Sequence, residues 1–242
     1  LKKKAIAIIG ASGVIGTAIS RKLDEQGYRL GLHYCSNKKA IDTFLENSRC
    51  ANDHHVYTSP LNSLDNVETT LNAFQKALGR LDGLILCAGR VPWKNEEKLT
   101  SNDWADAFFE LSVIPYHFAL VFSTCCAPAA RIVSLSSISA TYGGSSMSRH
   151  YGAAKAALEA ALLGLAKKLH SQQITVNIVQ AGFVLTPQQT SGRSTDEIEK
   201  RIKKIPFHRS ATPEEIAQAF CFLFDPDSSF ITGQRITIAG GD

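Results

Sequence analysis

The chain has 242 residues, of which 44% are hydrophobic and 20% are charged, and its formal net charge is +4. These values are typical of one sizeable globular domain, and they exclude a disordered chain and a strongly basic nucleic-acid-binding chain. No continuous apolar run approaches the roughly 18 residues of a membrane span, and the segment before the first predicted strand is too short for a signal peptide. Because the chain begins at Leu1 rather than Met, a targeting segment removed upstream stays open.

The six cysteines form no C-x-x-C pair and no spacing typical of metal ligands. This pattern predicts free thiols in a reducing compartment such as the cytoplasm, and it predicts no metal site. Cys87 lies in an apolar strand pattern and is interpreted as a small buried residue. Cys125 and Cys126 allow two interpretations, a redox site or buried helix packing, of which packing is favoured.

Predicted strands and helices alternate along the chain. Apolar runs predict seven strands: Ala5 to Ile9, Arg29 to Tyr34, His55 to Thr58, Gly83 to Cys87, Arg131 to Leu135, Ile174 to Val179 and Arg235 to Ala239. Periodicity and capping signals predict the helices: Val14 to Gln26, Lys38 to Glu46, one opening at a capping box Asp65–Glu68 and ending near Gly79, Asp103 to Cys125 interrupted by Pro115, Tyr151 to His170, and one from a capping box Thr212–Glu215 to Phe224. This alternation predicts a doubly wound, parallel seven-stranded α/β sheet with helices on both faces, in a single domain of residues 1–242.

Two stretches have no regular pattern, Gly89 to Ser101 and Gly182 to Thr195. Both follow predicted strands, so we expect both at the carboxyl edge of the sheet, where folds of this kind bind ligands. The second stretch and the following Glu197 to Lys204 segment are rich in Ser, Gly, Thr and Gln. We therefore predict a mobile substrate lid over about residues 183–210.

A glycine-rich turn, Gly10-Ala11-Ser12-Gly13-Val14-Ile15-Gly16, joins the first strand to the first helix. Glycines let the backbone approach a pyrophosphate closely, and a helix N-terminus offers free N–H groups to its charge. The spacing is G-x-x-G-x-x-G rather than G-x-G-x-x-G, so the motif alone is weak. Its position after an apolar strand and at a helix start predicts a dinucleotide-binding turn.

The end of the second strand bears on the choice of dinucleotide. His33 to Lys39 contains no carboxylate that could hold a ribose 2′-hydroxyl, whereas its hydroxyl, amide and lysine groups would tolerate a 2′-phosphate. NADP(H) is therefore favoured over NAD(H). The alternative is that Lys38 and Lys39 only solvate the next helix.

Tyr151 and Lys155 lie four positions apart on a predicted helix and therefore share one face. A nearby lysine cation favours the phenolate, so we expect Lys155 to move the pKa of Tyr151 from about 10 toward neutral pH. A hydroxyl at the carboxyl end of a strand can polarise a substrate oxygen. Serines cluster at and just after the end of the fifth strand: Ser134, Ser136, Ser137 and Ser139.

In this ordered set the chain resembles the short-chain dehydrogenase/reductase family, in its compact single-domain branch, and within it the 3-oxoacyl thioester reductases. The resemblance spans nearly the whole chain and rests on these motifs: Gly10 to Gly16, Cys87-Ala88-Gly89, Ser136-Ser137, Tyr151-x-x-x-Lys155, Ala181 to Thr186, and Ile231-Thr232-Gly233-Gln234 to Gly240-Gly241. It implies a Rossmann fold and an oxidoreductase that transfers hydride between a nicotinamide cofactor and a carbonyl or alcohol.

The same resemblance implies roles for individual residues. Tyr151 is the general acid in the reductive direction, Lys155 lowers its pKa and holds the nicotinamide ribose, and Ser137 orients the carbonyl. Ser139 is a rival for the serine role. The predicted cofactor contacts are Gly10, Ser12, Gly13, Ile15, Gly16, Tyr34, Ser36, Asn37, Leu61, Ala88, Gly89, Tyr151, Lys155, Gly182, Val184 and Thr186.

The chain departs from the family pattern at several of these positions. Ile9 replaces the threonine before the turn, and Pro60 replaces the aspartate that meets the adenine, which leaves the Leu61 backbone to serve. Leu111 replaces the asparagine of the catalytic tetrad and cannot hold a relay water, for which Ser112 is the alternative. The glycine spacing of the turn is closer to the larger, sugar-nucleotide-modifying branch.

Other functions therefore stay open. A non-catalytic NADP(H) sensor or scaffold would bind the cofactor without turnover, and the intact Ser, Tyr and Lys argue against it. A sugar-nucleotide epimerase is suggested only by the turn spacing, and the chain after the sixth strand is too short for that branch's substrate domain. For a 3-oxoacyl thioester, Lys200 to Lys204 could meet a phosphorylated carrier arm, although a solvated helix face is favoured and the uncharged Cys125 to Ala130 argues against carrier docking.

The helix from Ala153 to Leu169 is apolar on more than one face, which predicts burial against both the sheet and a partner. We therefore expect a homodimer or homotetramer. The predicted ligand is a small-molecule carbonyl or alcohol, with no nucleic acid or membrane as a partner.

Overall fold

The computed structural model describes residues 3–191 and 193–242, so Lys2 of the N-terminal basic run and Gly192 of the predicted lid lie outside the described residues. In the described part, seven strands form one parallel sheet: β1 (Ala5–Ile9), β2 (Arg29–Tyr34), β3 (His55–Thr58), β4 (Gly83–Leu86), β5 (Arg131–Ser137), β6 (Thr175–Ala181) and β7 (Arg235–Ile238). The helices are α1 (Val14–Glu25), α2 (Lys38–Asn47), α3 (Leu64–Leu78), α4 (Ser101–Phe108), α5 (Ile114–Cys125), α6 (Ser139–Tyr142), α7 (Arg149–Leu169), α8 (Pro187–Thr190), α9 (Thr195–Lys203) and α10 (Pro213–Phe224).

The strands are ordered β3-β2-β1-β4-β5-β6-β7 across the sheet. The chain proceeds outward from β1 to β3 and then crosses back to place β4 on the other side of β1. Parallel sheets with this reversal open a crevice at the carboxyl ends of the two strands beside it. The register pairs Ile9 with both His33 and Leu86, so the ends of β2, β1 and β4 meet at this crevice.

Two hydrophobic cores cover the two faces of the sheet. The side chains of β1 alternate between them: Ala5, Ala7 and Ile9 join one core, and Ile6 and Ile8 join the other. The first core is completed by α3, α5 and α7, and the second by α1, α2 and α10. Because both faces are covered, β1 is apolar at every position, as is typical of parallel sheets. The predicted doubly wound α/β fold is confirmed.

Several predicted boundaries change. Strands β5 and β6 extend two residues further than predicted, to Ser137 and Ala181, which carries both strands into the crevice. Helix α3 is capped by Ser63, whose hydroxyl accepts a hydrogen bond from the backbone N–H of Asn66, so the capping box predicted at Asp65 is wrong. Ser63 is the N-cap because its extended backbone places its hydroxyl at the first turn of α3. The capping box at Thr212 is confirmed.

Pro115 does not interrupt the helix in which it lies. The helix runs from α4 into α5 through a π-helical turn, Phe109–Val113, and Pro115 occupies the first turn of α5. The wider turn accommodates the missing N–H, which would otherwise break a helical hydrogen bond. The two stretches predicted to lack regular structure contain a short 3₁₀ turn, Glu96–Lys98, and helix α8.

Among the described residues, one helical stretch, Ser101–Cys125, is long and apolar enough to span a membrane by length and composition. Counting continuous apolar residues misses it, because polar side chains interrupt the run. Leu111, Phe118 and Phe122 of this stretch are fully buried inside the protein. Since the core helix of a globular protein passes the same test, the stretch is weak evidence for a membrane span.

The vicinal thiols fit the packing interpretation. Cys126 is buried and Cys125 is half-buried, and burial raises the pKa of both thiols, that of Cys126 to about 11. A thiol with a raised pKa is a poor nucleophile at neutral pH. Helix packing therefore explains this pair better than redox chemistry does.

Candidate active site

Two glycines fix the turn between β1 and α1. Gly10 has φ +89°, and a Cβ there would lie 2.5 Å from the backbone nitrogen of Ala88. A Cβ on Gly16 would lie 2.3 Å from the Gly10 carbonyl oxygen. Gly13 stands at the N-cap of α1 and offers no side-chain cap, so the first N–H groups of the helix stay available. Free N–H groups at a helix start can bind an anion.

A cleft of about 340 Å³ opens beside this turn, at the carboxyl ends of the central strands. Most of the predicted site residues line it: Ser12, Gly13, Ile15, Gly16, Asn37, Gly89, Ser137, Tyr151, Gly182, Val184 and Thr186. Sequence reasoning missed other lining residues: Val14, Cys87, Val91, Leu135, Ser136, Ala181, Pro187, Gln188 and Gln189. Most of these adjoin a recognised motif, so extending each motif by one or two positions would have found them.

Six predicted cofactor contacts do not line the cleft: Gly10, Tyr34, Ser36, Leu61, Ala88 and Lys155. Gly10, the first residue of the turn, instead packs against the Ala88 backbone. Leu61 and Ala88 line a separate small cavity beside Glu110. Lys155 is buried behind the cleft wall. Tyr34 is half-buried and Ser36 is exposed at the end of β2, outside the cleft lining.

Asn37 links the end of β2 to the glycine turn. Its side-chain oxygen caps α2 by accepting from the Ala40 N–H, and its amide nitrogen donates to the Ser12 carbonyl over 3.4 Å. The exposed Lys38 forms an ion pair with Asp42, which fits the alternative that this lysine solvates the helix. No carboxylate lines the cleft at this end in the described part of the chain.

Tyr151 and Ser137 stand at the junction of two cavities. Both side chains line the cleft beside the glycine turn, and both line a larger adjoining cavity of about 540 Å³. Burial raises the pKa of Tyr151 to about 12, and the facing Ser137 hydroxyl opposes this rise. The phenol therefore keeps its proton at neutral pH.

Lys155 lies one helical turn beyond Tyr151 and is buried. Its ammonium donates to the Leu135 carbonyl oxygen over 3.1 Å. Burial lowers the pKa of Lys155 to about 8, against the opposing effects of Cys87 and Glu159. Contrary to the prediction, the pKa of Tyr151 is raised and not lowered, because burial of the phenol outweighs the opposing hydrogen bond of Ser137.

The four serines near the end of β5 separate into different environments. Ser134 and Ser136 are buried, and Ser136 donates to the Glu159 carboxylate. Ser137 accepts a hydrogen bond from the Ser139 N–H over 3.1 Å and lies in both cavities, whereas Ser139 lines only the larger one. This placement favours Ser137 over Ser139 as the partner of Tyr151.

Glu159 is a buried carboxylate that sequence reasoning missed. It accepts hydrogen bonds from Ser136, from Gln180 over 2.9 Å and from Arg235 over 2.7 Å. These contacts tie α7 to β5, β6 and β7, and the carboxylate also raises the pKa of Lys155. The available signal was a single acidic residue on an apolar helix, four positions after Lys155.

Leu111 occupies the middle of the π-helical turn and is buried. Its side chain lies so close to Gly89 that a Cβ on that glycine would be 2.9 Å from the leucine methyl group. Ser112 is also buried, and its hydroxyl donates to the Ala154 carbonyl oxygen of α7. The hydroxyl proton of Ser112 therefore holds this helix against α7, and its role in holding a relay water stays a prediction.

Cys87 also differs in part from its interpretation. It is half-buried, packs against the core and also lines the cleft, and its thiol contacts the Ile9 carbonyl oxygen at 3.3 Å. Burial raises its pKa to about 12, so it is a thiol and not a thiolate at neutral pH.

Residues 10–242 match the family described as enoyl-(acyl carrier protein) reductase. Among curated relatives, the chain is 28% identical to an acetoacetyl-CoA reductase of Allochromatium vinosum, covering 97% of this chain and 96% of that protein. It is 27% identical to the 3-oxoacyl-[acyl-carrier-protein] reductase FabG of Staphylococcus aureus, covering 98% and 97%.

Solved structures are similar over the whole fold. A short-chain dehydrogenase/reductase from Brucella melitensis superposes with a TM-score of 0.91 at 26% identity, covering 98% of this chain and 96% of that one. BdcA in complex with NADPH gives 0.87 at 25% identity, covering 98% and 93%. The angucycline C-6 ketoreductase LanV with bound NADP gives 0.89 at 25%, covering 98% and 95%. The chain belongs to the enoyl-(acyl carrier protein) reductase family, and it is an oxidoreductase of the short-chain dehydrogenase/reductase type.

Proposed function

We propose that this chain is an NADP(H)-dependent oxidoreductase that transfers hydride between the nicotinamide and a carbonyl or hydroxyl substrate, with Tyr151 as the acid and base. The observation that carries the proposal is the position of Tyr151 and Ser137 at the junction of the two cavities. One cavity has the phosphate-binding turn of a dinucleotide site, and the other has room for a small molecule. A proton donor between them is where carbonyl reduction requires it.

The cleft fits a nicotinamide dinucleotide on its own chemistry. The glycine turn and the uncapped start of α1 suit a pyrophosphate. At the other end, the side-chain nitrogen of Gln188 is buried in the cleft wall with no protein partner among the described residues. Such a donor calls for an acceptor, and a carboxamide oxygen supplies one. We expect Val184, Thr186 and Gln188 to hold the carboxamide, and Lys155 to hold the adjacent ribose.

The protein's own residues then handle the proton. The bound cofactor would supply the hydride. Tyr151, whose pKa lies near 12, is protonated at neutral pH and donates to the carbonyl oxygen in the reductive direction. Ser137 orients that oxygen with its hydroxyl. Lys155 carries a positive charge below pH 8 and stabilises the phenolate that the proton transfer leaves behind.

NADP(H) is proposed over NAD(H) on two grounds. The β2 end of the cleft has no carboxylate among the described residues, and Asn37 with the exposed lysines beside it would tolerate a 2′-phosphate. The similar proteins BdcA and LanV were solved with NADPH and NADP, respectively. Lys39, which has no ion pair among the described residues, is the better placed lysine for this role, since Lys38 pairs with Asp42.

For the substrate, the two curated relatives point to a 3-oxoacyl thioester. We propose one cofactor-binding domain over residues 1–242, with residues 183–210 as the substrate lid. One wall of the larger cavity is supplied by Gln189 of α8, Arg201 of α9 and Arg193 between the two helices. Movement of this wall would open the cavity to solvent.

A carbonyl panel tests the proposed function. Purified protein with NADPH should oxidise the cofactor in the presence of 3-oxoacyl thioesters, quinones or small ketones, followed by loss of absorbance at 340 nm. NADH in place of NADPH should give a lower kcat/KM. Tight NADPH binding without turnover across the whole panel would instead identify a cofactor sensor.

A further inference from the structure

The larger cavity has an unusual balance of charge for a site that would take a neutral carbonyl compound. Three cationic side chains line it, Arg193, Arg201 and Lys204. Asp242 is the one carboxylate among the described lining residues. A surplus of positive charge in a concave site raises the local concentration of anions and selects for them.

Arg193 is held in place without an ionic partner. Its guanidinium lies 4.6 Å above the centre of the Trp93 ring, and it donates to the Gln189 side-chain oxygen over 3.2 Å. The Trp93 indole is fixed in turn by donating to the Gln188 carbonyl oxygen. No carboxylate lies within ion-pair distance of Arg193 in the described part of the chain. This arginine is oriented by neutral groups and keeps N–H donors free.

The neighbouring charges compensate the charge of Arg193 only in part. Burial lowers the pKa of Arg193, and the like charge of Arg201 lowers it further. Glu197 acts in the opposite direction, but its carboxylate is already bound by Ser194 at the start of α9. Arg201 is different, because it pairs with Asp242. A partly buried guanidinium without a counter-charge is unfavourable, and an anionic ligand would relieve that cost.

We propose that the carbonyl substrate carries an anionic group, a carboxylate or a phosphate, that binds Arg193 in the larger cavity. This proposal rests on the proposed function, since it places the carbonyl of the same molecule at Tyr151. Arginine suits the role because its planar guanidinium binds such groups through two parallel hydrogen bonds. The rings of Trp93, Tyr142 and Phe183 line the space between and would cover an apolar or aromatic body.

A matched pair of ketones tests the charge directly. The probes are 4-acetylbenzoate and methyl 4-acetylbenzoate, which differ in the carboxylate and share the ketone. With NADPH, we expect kcat/KM for the carboxylate to exceed that for the ester by about tenfold, the worth of one charge-assisted hydrogen-bonded pair. Arg193→Met should remove this preference by lowering kcat/KM for the carboxylate about tenfold, so that the ratio of the two kcat/KM values approaches one.

The control variants separate charge from fold. Lys203→Met removes an exposed positive charge from α9 at a position that does not line the cavity, and it should leave the preference unchanged. Arg193→Lys keeps the charge and should keep part of the preference. Equal kcat/KM for the two ketones in the wild type, or no effect of Arg193→Met on their ratio, would overturn the anion site while the proposed function stands.

Calorimetric titration of 4-acetylbenzoate into the protein with NADP⁺ measures the same site without turnover. Binding that weakens about tenfold in Arg193→Met supports the anion site. If no carbonyl is reduced in the same preparation, the anion site stands and only the proposed function is contradicted. Absence of both binding and turnover contradicts both.

Two sources of the anionic group are separated by a second pair, acetoacetyl-CoA and acetoacetyl-N-acetylcysteamine. If Arg193→Met impairs turnover of the CoA thioester only, the site binds a carrier phosphate. If Arg193→Met impairs turnover of 4-acetylbenzoate only, the site binds a carboxylate of the substrate itself.

Discussion

Burial acts in opposite directions on the two ionisable side chains of the site. It raises the pKa of Tyr151 to about 12 and lowers that of Lys155 to about 8, because in each case the charged form loses its hydration. At neutral pH the pair is therefore a neutral phenol beside an ammonium. That is the protonation state that a reductase needs at the start of each turnover.

The pH dependence of reduction follows from Lys155. As pH rises through about 8, the ammonium loses its proton and its charge. In the proposed mechanism this charge stabilises the nascent Tyr151 phenolate. We expect kcat/KM for carbonyl reduction to fall about tenfold per pH unit above this value, as for loss of a single essential proton. A profile from pH 6 to pH 10 measures it. In Lys155→Met the rate should be low and this limb absent, whereas a wild-type profile that stays flat to pH 9.5 would contradict the assignment.

For single residues, the sequence predicts the positions of the site residues better than their surroundings in the fold. The spacing of Tyr151 and Lys155 is a local property of one helix, so it could be predicted. The direction of the Tyr151 pKa shift could not be, because it depends on burial and on where the Lys155 ammonium points. The Lys155 ammonium donates to the Leu135 carbonyl oxygen of β5, and the Glu159 carboxylate accepts from residues of neighbouring strands. No local sequence pattern contains these contacts.

Among the elements, the β1–α1 turn depends on contact between backbones. Gly16 packs its Cα against the Gly10 carbonyl, whereas a Cβ on Gly13 would meet that same oxygen at 3.5 Å, an ordinary contact. The two glycines look equivalent in the sequence motif. The structure separates Gly16, which has no room for a Cβ, from Gly13, which does.

Gly16→Ala and Gly13→Ala form a matched pair for this turn. Gly16→Ala should lower the free energy of unfolding by about 3 kcal/mol and weaken NADPH binding at least tenfold, because backbone atoms must move to admit the methyl group. Gly13→Ala should cost less than about 1 kcal/mol, the difference between Gly and Ala at an N-cap. Urea unfolding and NADPH fluorescence titration give the two quantities. Equal stability of the two variants would show that the turn tolerates a side chain at Gly16.

The elements that sequence reasoning misplaced share a cause. Ser63 and Asp65 both have capping side chains, and only the path of the incoming loop selects Ser63. Pro115 signals a break, yet the π-helical turn before it absorbs the lost hydrogen bond. In both cases the outcome depends on tertiary packing that overrides a local propensity.

In the whole molecule, α7 presents two faces. Leu158, Leu162 and Leu165 are buried against the sheet, while Ala160 is exposed on the other side with Ala157 half-buried beside it. Small apolar residues at this spacing let a second helix approach closely. The prediction that a partner covers this face rests on that pattern.

Light scattering with Ala160→Glu tests the assembly. The wild-type protein should have at least the mass of a dimer at micromolar concentration, because a covered apolar face is more stable than a solvated one. Ala160→Glu should shift it toward the monomer by burying an unpaired charge. A wild-type mass of 26.3 kDa, that of one chain, would contradict the prediction.

The alternation of strands and helices was sufficient to predict the architecture and the edge of the sheet where the site lies. The larger cavity could not be predicted from the sequence, because it brings together Trp93 and Arg193, which lie one hundred positions apart. Neither belongs to a motif, and both lie on segments whose patterns predict only loops. Their contact is a property of the assembled molecule.

In the proposed mechanism, Tyr151 transfers the proton in an NADPH-dependent carbonyl reduction. The most direct measurement is the turnover of the best carbonyl substrate by Tyr151→Phe, with NADPH binding to the same variant measured in parallel. We expect NADPH binding within about threefold of the wild type and kcat reduced at least a thousandfold, since removing an essential acid costs more than removing a cofactor contact. Turnover within tenfold of the wild type, with binding intact, would contradict it.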